Sequence, residues 1–128
     1  MKLVLVDDNP ELSSLLETIG SIEGVETESF TSSPAALEYL ANEDADVVII
    51  DLEMPVIDGL RLAKEIRKNE EIHPEKRPVK MVFYTGHEMS EAIERVAEKV
   101  GVEKRHMLQK DYPLQDLVGS LKHDFGEV

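Results

Sequence analysis

The sequence predicts a single α/β domain, a doubly wound five-stranded parallel sheet with helices on both faces. Two observations carry this. Five short apolar runs alternate along the chain with five stretches whose apolar residues recur at helical spacing. The third run, Val47-Val48-Ile49-Ile50, has no polar alternation, which is the composition of a strand buried on both faces.

The elements follow in order. Leu3-Val4-Leu5-Val6 is the first strand. Asn9-Pro10 supplies a helix cap and a first-turn proline, and Leu12, Leu15, Leu16 and Ile19 then share one helical face. A short strand runs from Val25 to Phe30, and Ser33-Pro34 repeats the cap signal before Ala36, Leu37 and Leu40. After Val47–Ile50, Asp58-Gly59 opens a helix marked by Leu60, Ala63 and Ile66. Val79 to Tyr84 is the fourth strand, followed by a stripe of Met89, Ala92, Ile93, Val96, Ala97 and Val100. Arg105 to Gln109 is a less apolar fifth strand suited to a sheet edge, and Leu114, Leu117, Val118 and Leu121 mark the last helix. Residues 69–78 form the one long polar loop, and nothing reads as a repeat or interdomain linker.

At 128 residues the chain holds one domain, expected over 1–128, with a core large enough to fold unaided. No apolar run approaches the ~20 residues of a membrane span, and Asp7-Asp8 follows the first strand too soon for a signal peptide. There is no cysteine, hence no disulfide or thiolate metal site. A cytoplasmic location without membrane contact is expected. Fourteen basic against 27 acidic residues give a net charge of −13, which disfavours direct binding of nucleic acid.

In parallel α/β sheets ligands sit beyond the C-terminal strand ends. The residues there are Asp7 and Asp8 after the first strand, Asp51 after the third, Thr85 after the fourth and Lys110 after the fifth. If the first and third strands are neighbours, Asp8 and Asp51 start from backbones ~5 Å apart, and their repulsion is roughly 3 kcal/mol at an effective dielectric of ~20. A hard divalent cation offsets it, and Mg²⁺ characteristically takes one or two carboxylates with water and a phosphate oxygen. A carboxylate can attack a phosphoryl group and hold it as an acyl phosphate, while metal, ammonium and hydroxyl share its equatorial oxygens. Asp51, ending the most buried strand, is the candidate nucleophile. Asp8 is the candidate direct ligand and Asp7 a water-mediated one, with the backbone carbonyl of Glu53 completing the metal shell.

Asp7-Asp8, Asp51-Leu52-Glu53-Met54-Pro55 with Asp58-Gly59, Tyr84-Thr85-Gly86 and Gln109-Lys110, in this order and each at a strand end, resemble the signature of two-component response-regulator receiver domains over about Lys2 to Leu121. The resemblance implies a flavodoxin-like (βα)5 sheet of order 2-1-3-4-5. It implies Asp51 as phosphoacceptor from the phosphohistidine of a histidine kinase or phosphotransfer protein, with Mg²⁺ on Asp7 and Asp8 and the phosphoryl contacted by Thr85 and Lys110. It further implies a switch that changes binding to a downstream protein and catalyses only its own phosphotransfer and dephosphorylation. Two positions depart from the family pattern: Asp111 stands where proline usually follows the lysine, often after a cis bond, and Met107 where an aromatic switch residue is common.

Taken singly, these residues have ordinary readings: Asp8 or Asp51 as a turn former or helix cap, Thr85 as a turn start and Lys110 as a solvated side chain. Only the set together points to the site. The four histidines lack ligand-spaced company and read as surface residues, His87 at the rim of the site excepted. Two other functions compete with the switch. One is a Mg²⁺-dependent aspartyl-nucleophile phosphohydrolase, weakened because Glu53 stands two residues after Asp51 where a haloacid-dehalogenase pattern needs aspartate. The other is an unphosphorylated pseudo-receiver used for docking. No output domain is expected after Leu121, which fits a stand-alone regulator or an excised receiver.

Overall fold

A computed structural model describes residues 1–54 and 58–125. Its strands are β1 (Lys2–Val6), β2 (Glu26–Phe30), β3 (Val47–Ile50), β4 (Lys80–Thr85) and β5 (Met107–Gln109), and its helices α1 (Pro10–Glu23), α2 (Ser33–Asn42), α3 (Gly59–Ile72), α4 (Glu91–Val100) and α5 (Leu114–Phe125). The strands form one parallel sheet of order β2-β1-β3-β4-β5, as the resemblance implies.

Side chains alternate across each strand, so β1, β3 and β4 feed two apolar layers. Val4, Val48, Ile50, Met81 and Phe83 pack with α2, α3 and α4. Leu3, Leu5, Val47, Ile49, Val82 and Tyr84 pack with α1 and α5 on the other face. All four residues of β3 are buried, the expected consequence of its uninterrupted apolar run.

Helix starts follow local chemistry. Asn9 Oδ1 accepts the N–H of Glu11, with Pro10 at the first helical position. The α2 cap is Ser32, whose Oγ accepts the N–H of Ala35, so Ser33 lies inside the helix rather than capping it. Asp58 caps α3 through the N–H of Arg61. Ser90 caps α4, and this excludes Met89 from a helix whose apolar stripe had been expected to include it.

Strand 4 lies one residue later than the apolar run predicts, because the N–H of Val79 is taken by the Glu70 carboxylate at 2.8 Å. β5 is shorter than expected: Lys104–His106 form a 3₁₀ turn. That turn buries His106 against the Phe125 ring, 5.2 Å between centroids, 3.5 Å from Asp124 Oδ2, so this histidine is not a surface residue. The polar loop begins only at His73, because α3 continues to Ile72. Lys76 docks its ammonium on the Leu40 and Glu43 carbonyls, and Arg77 pairs with Asp46 at 2.7 Å. These ties brace the N-terminal strand ends, away from Asp51.

Candidate functional site

At the opposite end of the sheet the strands deliver the predicted residues to one place. Val6 pairs with Ile50, and the N–H of Asp51 donates to Val6 O at 2.9 Å, so the register sets Asp7, not Asp8, beside Asp51. A one-residue step in parallel strands turns a side chain to the other face, and burial follows it: Asp7 is 0% and Asp51 4% exposed, while Asp8 is exposed. Carboxylate oxygens of Asp7, Asp8 and Asp51 nevertheless all lie within 4.8 Å of one another.

Lys110 answers this charge. Its Nζ is 2.7 Å from Asp7 Oδ2 and 3.6 Å from Asp51 Oδ2. The shorter contact makes Lys110 the close ionic partner of the buried Asp7 carboxylate. Asp7 Oδ1 accepts the N–H of Asn9, and Asp51 Oδ1 that of Glu53. Burial pushes the Asp51 carboxyl above its ordinary range; the Glu53 N–H and Lys110 oppose this, while Asp7 and Asp8 add to it. Burial works against the Lys110 charge, but the contact with Asp7 and the charge of Asp51 outweigh it and raise its pKa.

Thr85 is fully buried as the last residue of β4 rather than the first beyond it. Its Oγ1 accepts the N–H of His87 at 3.3 Å, and its O–H donates to no partner among the described residues. Lys110 N–H donates to Thr85 O at 2.8 Å, fixing β5 against β4 where the lysine leaves the sheet. The Lys110–Asp111 peptide is trans. Met107 is half-buried against the layer containing Phe83.

Gly59 also serves the site. A Cβ there would lie 2.3 Å from Asp51 O and 2.6 Å from the Leu52 Cα. Its absence lets the start of α3 sit directly on the backbone that carries Asp51. The loop signal Met54-Pro55 is half visible: Met54 is buried, and Pro55 lies outside the described residues.

Four further residues shape the site. His87 Nε2 meets Glu53 Oε1, joining the loops that follow β4 and β3. Gln109 Nε2 donates to His87 O at 3.1 Å. Tyr84 donates its hydroxyl to Tyr112 O at 2.6 Å. The sequence singled out Glu53 and His87 by position; Gln109 and Tyr84 stand in the quoted motifs, but nothing there signals their hydrogen bonds.

Residues 3–122 match the response regulator receiver domain family. The chain belongs to that family. A receiver domain is a phosphoacceptor signalling domain of two-component systems, and not a member of a classical enzyme family. Over 92 residues it is 36% identical to the transcriptional regulatory protein CpxR homolog of Haemophilus influenzae, covering 72% of this chain and 38% of that protein. The chain spans well under half the length of the curated relatives it matches. Its fold is similar to a receiver domain of Methanospirillum hungatei, with TM-score 0.79 and 20% identity over 97% of this chain and 92% of that one. It is also similar to the receiver domain of the sensor histidine kinase PA1611 of Pseudomonas aeruginosa, solved with magnesium in its active-site cleft: TM-score 0.74, 20% identity, 98% of each chain. Among the described residues no helix is long and apolar enough to cross a membrane.

Proposed function

We propose that this receiver domain accepts a phosphoryl group on Asp51 from the phosphohistidine of a histidine kinase or phosphotransfer protein, and that the phosphorylated form binds a downstream protein differently. The observation that carries this reading is the convergence of Asp7, Asp8 and Asp51 with one ammonium on the buried end of β3.

The residues fit a magnesium ion: three carboxylates lie within reach of one another with one ammonium among them, the all-oxygen donor set that this hard cation takes. Asp8, Asp51 and the Glu53 carbonyl would hold it, and Asp7 would act through water. When bound, it neutralises charge on the carboxylates and on the incoming phosphoryl. A carboxylate oxygen of Asp51 forms the bond to phosphorus as the bond to the donor imidazole nitrogen breaks, the electron pair leaving with that nitrogen. The Glu53 N–H orients the attacking carboxylate. Lys110 and the uncommitted Thr85 O–H meet the equatorial oxygens, a positioning and electrostatic task. The acyl phosphate is later hydrolysed in the same site. The acidic surface fits protein partners better than nucleic acid.

The test is intact mass after incubation with acetyl phosphate. One phosphoryl per chain is expected with Mg²⁺, and none with a chelator or in Asp51→Asn. An Asp51→Asn protein that labels like the parent overturns the assignment.

The Glu53–His87 bridge spans the loops flanking Asp51 and Thr85, where it controls access of the hydrolytic water. Either Glu53→Ala or His87→Ala removes the same bridge. Both should shift the dephosphorylation rate in one direction by ~3-fold or more, and the double variant should add little, as expected of coupled residues. Labelling stoichiometry should stay at one, read by timed mass spectra after removal of acetyl phosphate. Additive effects of opposite sign would show that the two act separately.

A further inference from the structure

Lys110 can serve the phosphoryl only if its loop is held, and a side chain of β4 holds it. The segment from Lys110 to Pro113 begins with a trans peptide and contains no proline before position 113. Lys110 N–H donates to Thr85 O at the strand end, and Tyr112 N–H closes a local turn on Gln109 O at 3.0 Å. The first bond holds only the start of the loop, and the second returns Tyr112 only to the edge strand from which the loop leaves, so neither ties its far side to β4. The hydroxyl of Tyr84 does so, donating to Tyr112 O at 2.6 Å across 28 residues of sequence.

The donor is fixed in place. Tyr84 is 2% exposed, and its ring lies in the apolar layer with Leu114 and Val118 of α5. Thr85 follows it in β4 and points to the opposite face, so two adjacent strand residues reach the site from its two sides. Burial, set against the nearby Lys110 charge, keeps the phenol protonated and therefore a donor.

We infer that Tyr84 is a positioning residue for phosphotransfer: through Tyr112 it holds the loop that presents the Lys110 ammonium to Asp7 and Asp51. This rests on the reading of Lys110 as a phosphoryl contact. Lysine has a flexible four-carbon stem, so a loose loop would let the ammonium leave the carboxylates for solvent. Loss of the phenol should therefore lower the fraction of molecules with Lys110 in place, while the three carboxylates stay where β1 and β3 put them.

The test is the initial rate of acetyl phosphate labelling in Tyr84→Phe, which keeps the ring and removes the donor. The rate should fall by ~5-fold or more, about what one net hydrogen bond is worth, and beryllofluoride affinity should fall with it. Mg²⁺ affinity, read from melting temperature against metal concentration, should stay within about 2-fold, since a purely structural lesion would move both. In a Lys110→Ala background, Tyr84→Phe should change the rate by less than about 2-fold, because the two changes act on one group. Tyr84→Leu, which fills the layer without a hydroxyl, should repeat the loss. A parent-like rate in Tyr84→Phe, or its full loss persisting without Lys110, overturns the inference. If Lys110→Ala is slow while Tyr84→Phe is parent-like, the inference alone fails. A parent-like Lys110→Ala overturns it together with the reading of Lys110.

Discussion

Lys110→Ala should label on Asp51 ~10²–10³-fold more slowly than the parent, the usual cost of removing one preorganised donor to a transition-state oxygen. It should also melt lower in metal-free buffer. Asp7 is wholly buried, and Lys110 is its one cationic neighbour among the described residues. Removing a single partner of a buried pair typically costs about 3–5 kcal/mol. The Lys110 side chain is 29% exposed, and solvent screening reduces the expected cost to about 2–3 kcal/mol. For a chain of this size that is a drop of roughly 6–12 °C. Mg²⁺ should restore most of the melting temperature and little of the rate, since a second cation neutralises the carboxylates without replacing the ammonium. The pH sign follows from the raised Lys110 pKa. The stability it gives is fully present below the ordinary lysine value of 10.5 and lost as pH rises through the higher folded value. The gap between parent and variant should accordingly close only in strong alkali. Parent-like labelling by the variant would remove Lys110 from the phosphoryl contacts.

The site was legible because its residues stand at the ends of apolar runs, and strand order alone brings such ends together. Register was not legible. Nothing in Asp7-Asp8 says which of the two faces Asp51; the pairing of Val6 with Ile50 decides it. Boundaries moved where a side chain took a backbone group from the ladder, as the Glu70 carboxylate does at Val79. His106 looked like a surface residue because it has no ligand-spaced company, and the 3₁₀ turn that buries it against Phe125 carries no apolar periodicity. Tyr84 was invisible for a different reason. Its ring reads as strand core, which it is, and the acceptor of its hydroxyl lies on a loop whose path depends on a trans bond at Asp111.

Asp51→Asn should melt above the parent in metal-free buffer at neutral pH, although it cannot be phosphorylated. Burial first, then Asp7 and Asp8, raise the Asp51 carboxyl against the Glu53 N–H and Lys110. A carboxyl whose folded pKa is raised costs stability as pH climbs from the ordinary value of 3.8 through the folded one, and the penalty is complete above it. Asparagine removes that penalty, so its advantage should vanish as pH falls towards 3.8. Desolvation and the Asp7 and Asp8 charges together outweigh the attraction of Lys110, so a net gain of about 1–2 kcal/mol, or roughly 3–8 °C, is expected. Mg²⁺ should reverse the order: at a hundredfold over its dissociation constant a ligand adds ~2.7 kcal/mol to the folded state, a gain for the parent and little for a variant lacking a ligand. Asp8→Ala separates the two effects. Asp8 is exposed, so its loss should barely change the metal-free melting temperature, yet it should abolish the Mg²⁺ response. An Asp51→Asn protein that melts at or below the parent without metal would show that Lys110 already compensates the buried carboxylates, and an undiminished Mg²⁺ response in Asp8→Ala would remove Asp8 from the metal site.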